Sequence, residues 1–131
     1  MPPEESFNPV DWLRIAEKDL NRVARLVDDA DAEGAGFNLE QATEKFIKSY
    51  LLTKGWTLKK THNLDSLLNE LVQYLPETER FRGVCQQILD FYWADRYPDM
   101  AEMAPSLVEV RAAFSEVQPL FEIIKAQITK C

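Results

Sequence analysis

Apolar side chains return every three to four positions along almost the whole chain, and the breaks fall at proline, glycine and helix-capping residues. That period lines up one stripe of a helix and does not suit a strand, whose faces alternate every second residue. Asn8-Pro9 reads as a helix start, with asparagine as cap and proline in the first turn. Trp12, Leu13, Ala16, Leu20, Val23, Ala24 and Val27 then form one stripe, which the acidic segment Asp28–Gly36 ends. Asn38, with Gln41 three residues on, has the spacing of a capping box for a second helix. Phe46, Ile47, Tyr50 and Leu51 are its buried face, and Gly55 is placed to stop it.

Leu64, Leu67, Leu68, Leu71 and Leu75 mark a shorter third helix ending before Pro76. Phe81, Val84, Cys85, Ile88, Phe91 and Tyr92 mark a fourth, which Pro98 prevents from running far past Tyr97. Pro105 and Ser106 introduce a fifth, with Pro119 inside it expected to kink or split the helix. The expected fold is all-α, an antiparallel up-and-down bundle of four to five helices. At 131 residues the chain suits a single domain spanning 1–131.

Charge narrows the function. The chain carries −7 overall, against the cationic surface that sequence-independent nucleic-acid binding needs. Yet residues 37–62 hold five basic groups against two acidic ones, while residues 1–36 hold four against nine. A local cationic spot on an acidic body suits a small anionic ligand better than a long polyanion. The longest apolar runs fall far short of the roughly 20 residues of a membrane helix, and the acidic MPPEESFNP start is not a signal peptide. A cytoplasmic location is expected. Cys85 reads as a small core residue and Cys131 as a terminal thiol; with one histidine and no CxxC, neither a metal site nor a cofactor is expected.

Three groups carry candidate chemistry. Lys45 and Lys48, three apart, share a helix face and could hold a phosphate, or Glu44 could pair with Lys48 on a solvated face. Lys59, Lys60, Thr61 and His62 sit just before the third helix, where unpartnered backbone N–H groups favour an anion. Tyr92, Arg96, Tyr97 and Asp99 gather rings, a guanidinium and a carboxylate where the fourth helix must end. They suit stacking on a base and holding a phosphate, or equally a lock on the helix C-terminus.

In order and spacing, Trp12-Leu13-Ala16-Asp19-Leu20, Ala42-Glu44-Lys45-Lys48, Gly55, Thr61-His62-Asn63-Leu64, Leu67-Leu68, Tyr92 and Arg96-Tyr97-Pro98-Asp99 resemble the HEPN (higher eukaryote and prokaryote nucleotide-binding) domain family. The similarity runs from Trp12 to about Ile124. It implies a helical bundle that dimerises through helix faces and binds nucleotides, often beside a minimal nucleotidyltransferase in a toxin–antitoxin-like pair. Many members are RNases with an Arg-x(4–6)-His motif. Here the residues five to seven beyond Arg96 are Ala101, Glu102 and Met103, and no arginine precedes His62 at the required distance. The expected function is therefore non-catalytic binding of a nucleotide or phospholigand by a homodimer, through Lys45, Lys48, Lys59, Lys60, His62, Tyr92, Arg96, Tyr97 and Asp99. The alternative is a docking subunit for a nucleotidyltransferase, using an acidic first helix (Asp11, Glu17, Asp19) as the interface.

Overall fold

The computed structural model describes residues 8–55, 63–97 and 104–129. Helix α1 spans Pro9–Asp28, α2 Ala32–Thr53, α3 Leu64–Tyr74, α4 Arg82–Arg96 and α5 Leu107–Thr129, with a 3-10 turn over Pro76–Phe81 between α3 and α4. Among the described residues there is no strand, and the fold is the all-helical bundle the periodicity predicts. Lys59, Lys60, His62, Asp99 and Cys131 lie outside the described residues.

Local signals account for most of the helix ends. The Asn8 side chain accepts from the Val10 amide with Pro9 in the first turn. Gly55 takes a φ of 78° just past α2, where glycine carries no Cβ penalty. Asn63 caps α3, its Oδ1 accepting from the amides of Asp65 and Ser66. Ser106 and Glu109 form a reciprocal capping box at the start of α5.

Two expectations need correction. Asn38 does not cap α2: Asp31 does, its side chain accepting from the Gly34 amide, and Asn38 lies inside the helix donating to the Gly34 carbonyl. The glycines that suggested a loop sit in the first turns instead. Gly36 is favoured there because a Cβ would lie 3.0 Å from the Phe91 Cβ, a tight contact that would press α2 away from α4. Pro119 does not split α5, which runs through it as one helix. The proline is exposed, so the ring and the carbonyl it leaves unbonded meet solvent.

Helix α2 is the axis of the molecule, packing against each of the other four helices. Thirteen of its 22 residues are buried. Phe46 stacks on Phe121 of α5 at 4.2 Å between centroids, with Leu39, Ile47 and Leu51 fully buried around them. Burial of each such side chain contributes roughly 1.5–3 kcal/mol. The Tyr92 end of α4 and Trp12 of α1 flank the same helix, and this places the site described below.

The α1–α2 connection ends in a Schellman motif. The Ala30 amide donates to Val27 O, the Asp31 amide donates to Leu26 O, and Ala30 itself is left-handed at φ 60°. Alanine is disfavoured there because its Cβ crowds the backbone. Ala30→Gly is expected to stabilise the fold by about 0.5–1 kcal/mol, read as a Tm rise of several degrees in a thermal melt; an unchanged or lower Tm would count against this geometry.

Candidate functional site

Glu40, Glu44 and Lys48 follow one another at four-residue intervals on α2 and so form a row on one face. All three are buried. Lys48 Nζ donates to Glu44 Oε1 at 2.5 Å and lies 5.5 Å from the centre of the Trp12 ring on α1. The face expected to be solvated or cleft-lining is therefore interior, although the Glu44–Lys48 pairing forms as its spacing suggests.

Glu40, fully buried, receives one hydrogen bond from Gln41 Nε2 at 3.1 Å, and as a carboxylate its Oε1 has no partner. Its pKa is pushed up to about 9 by loss of solvent first, then by the hydrogen bond with Glu44 and by that neighbour's charge. Gln41 and Lys48 oppose the rise without offsetting it. The protonation state of Glu40 follows: it stays neutral beside the Glu44–Lys48 ion pair. The row then holds one negative and one positive charge, the arrangement least costly to bury.

Tyr92 of α4 stands beside this row. Its ring stacks on Phe37 at 5.9 Å, meets Trp93 edge-on at 5.3 Å, and carries the Arg96 guanidinium at 5.6 Å. Burial holds its hydroxyl above the ordinary tyrosine range, with the charges of Glu40 and Glu44 adding to the effect and Arg96 opposing it. Tyr97 caps α4 and lies 5.3 Å from Trp93, 46% exposed. Arg96 is exposed as well. An acid pair, an aromatic layer and an outward guanidinium are thus stacked from interior to surface.

The structure brings Tyr92, Arg96 and Tyr97 together and links them to Lys48 through Glu44 and Glu40. It engages Lys45 elsewhere: Lys45 Nζ reaches Asp19 Oδ2 at 2.6 Å, and Arg22 Nη1 reaches Oδ1 of the same carboxylate at 2.8 Å. Asp19 is buried between α1 and α2, so it is not on an acidic docking face. The start of α3 is also less open to an anion than its position suggests, since Asn63 already accepts from two of its first amides. Cys85 is a buried thiol raised to about 12 chiefly by loss of solvent, which removes it as a nucleophile. Among the described residues no cluster of acidic, histidine or cysteine side chains is suited to a metal ion, and no helix is long and apolar enough to cross a membrane.

Glu40 is the residue the sequence reading did not single out. Its spacing of four from Glu44 and eight from Lys48 was the available signal, but the same spacing is common on solvated helices.

The architecture is that of a small all-α bundle protein. The family model of the HEPN domain matches residues 10–127, and the chain belongs to the HEPN domain family. Comparison with curated proteins and with solved structures gave no match.

Two variants test the charge assignment. Unfolded, Glu40 titrates near 4.5; folded, it keeps its proton to about 9. The fold therefore holds a proton that the unfolded chain releases, and this contribution is complete below pH 4.5 and lost as pH rises toward 9. Glu40→Gln removes that loss, so between pH 5 and 8 the variant should gain on wild type by on the order of 1 kcal/mol per pH unit in denaturant melts; parallel pH profiles would contradict a protonated Glu40. Lys48→Met leaves the Glu44 charge buried alone and is expected to cost about 3–5 kcal/mol. Adding Glu44→Gln should recover much of that loss in the same melts, and a simply additive double variant would dissolve the pair.

Proposed function

We propose that the protein is a non-catalytic, homodimeric binder of a nucleotide or another phosphorylated small molecule, acting at the corner where α4 ends. The observation that carries this reading is Arg96: exposed, with its guanidinium held over the buried Tyr92 ring at 5.6 Å. A guanidinium fixed on one face keeps its edge donors for a phosphate, which it can engage through two parallel hydrogen bonds. Tyr97, exposed beside Trp93, offers a ring on which a base can stack. The acid pair beneath does not oppose an anion, because Glu40 is neutral and Lys48 balances Glu44.

In this reading Lys59, Lys60, His62 and Asp99 complete the ligand set. Lys45 and Lys48, each committed to a carboxylate, act by ordering α1 against α2. An RNase reading finds less support, since the Arg-x(4–6)-His pairing is absent from the sequence.

Calorimetric titration of ATP and GTP into the wild-type protein tests the proposal. Saturable binding of at least one nucleotide is expected, weakened about tenfold or more by Arg96→Ala and by Lys59→Ala/Lys60→Ala, as loss of charge-assisted hydrogen bonds requires. Affinity unchanged in both variants would remove this corner from consideration, and cleavage of RNA by the pure protein would overturn the non-catalytic assignment.

A further inference from the structure

The outer side of α1 carries exposed cations that no carboxylate among the described residues engages. Three of the helix's four acidic residues are engaged by basic side chains. Asp19 turns inward to Lys45 and Arg22, Glu17 reaches Lys125 of α5 at 3.5 Å, and Asp11 reaches Arg14 at 3.5 Å. The cations are left outside. Arg14, Lys18 and Arg25 recur at four and seven residues along one exposed stripe, and Arg111 of α5 stands across from it, exposed. Lys18, Arg25 and Arg111 have no carboxylate partner among the described residues. A helix with four acidic and four basic residues thus shows cations without such partners along its outer side.

Beside that stripe runs an open groove between α1 and α5, about 400 Å³ in volume and floored by Leu20, Ala24 and Phe114. It continues along α1 past Asn21 to Leu13 and the exposed Val10. From Val10 to Arg25 the face is about 24 Å long at 1.5 Å per residue.

We propose that this groove receives an acidic amphipathic helix from a partner protein. The aliphatic floor takes the apolar stripe of such a helix, at i, i+3, i+4 and i+7, while Arg14, Lys18, Arg25 and Arg111 meet carboxylates along its flank. The same charges argue against a second copy of this chain, because a two-fold interface sets identical patches against each other and would oppose cation to cation. The floor argues against nucleic acid: it offers aliphatic groups and one phenyl ring, with no layered aromatic platform for bases. The groove lies on α1 and α5, away from the Arg96 corner on α4, so the inference stands apart from the nucleotide reading.

The test uses the full-length protein with three probes: a synthetic leucine–glutamate amphipathic peptide of about 18 residues, the same peptide with lysine for glutamate, and an oligouridylate. Binding is measured by fluorescence anisotropy, and the bound face is mapped by amide chemical-shift changes. Saturable binding of the acidic peptide alone is expected, with shifts confined to the outer face of α1 and to the Arg111–Gln118 side of α5. Lys18→Glu/Arg111→Glu should weaken it about tenfold or more and leave both the circular dichroism spectrum and ATP binding unchanged. Absence of saturable binding, shifts on another face, equal binding of the lysine peptide, or preference for the oligouridylate would each overturn the proposal. A change of oligomeric state in the double variant, seen by light scattering, would assign the face to a second copy and overturn it equally.

Discussion

A lysine ammonium and a glutamate carboxylate buried against each other at the centre of α2 are the constraint to which the rest of the bundle is fitted. Neither group can enter a helical core alone, since an uncompensated buried charge costs several kcal/mol. Together they tolerate burial, but only if surrounding groups neither add a further charge nor remove the pairing. Glu40 meets the first condition by keeping its proton. Trp12 contributes to the second by covering the Lys48 ammonium with the face of its ring. A second, half-buried ionic contact, Asp19 with Lys45, fixes α1 to α2 one step around the same helix. The bundle is thus held by hydrophobic packing and registered by charge.

The charged row also connects interior to surface. Tyr92 lies within the electrostatic reach of the acid pair, stacks on Phe37 and carries Arg96 on its ring, which positions the cation at the end of α4. Gly36 contributes by letting Phe91 close against α2. On α1, Asp19 and Glu17 are drawn to α2 and α5, while Lys18 and Arg25 stay exposed with no carboxylate partner among the described residues. One helical framework therefore presents two cationic surfaces on an acidic protein, one aromatic and small, the other long and aliphatic.

Helix number and most helix ends were legible in the sequence because they depend on neighbours a few residues away. Asn8-Pro9, Gly55, Pro76 and Ser106 act through their own dihedral angles and hydrogen bonds, and each sits where the pattern places it. The start of α2 was misplaced because two sound caps compete: Asp31 and Asn38 both have a suitable side chain, and Asp31 wins by satisfying the Gly34 amide while the helix continues through both glycines. Burial of the Glu40–Glu44–Lys48 row was not legible. Its spacing is that of an ordinary solvated face, and only the enclosure of α2 by four other helices turns it inward. The same limit hid the basic face of α1, since counts along the chain weigh Asp19 like any surface carboxylate. Arg96 and Tyr97, announced by the Pro98 helix stop, were legible as a corner, but their link to Lys48 was not.

The central claim is the protonation pattern of that row, and a direct reading comes from ¹³C NMR of glutamate side-chain carboxyl groups followed from pH 4 to 10. One glutamate resonance in the wild-type spectrum should behave unlike the rest, that of Glu40, remaining in the acid form through neutrality and titrating near 9. Assignment follows from the loss of that signal in Glu40→Gln. If every glutamate carboxyl titrated together near 4.5, both acids would be ionised in the fold and the account of a neutral, registering charge row would be contradicted.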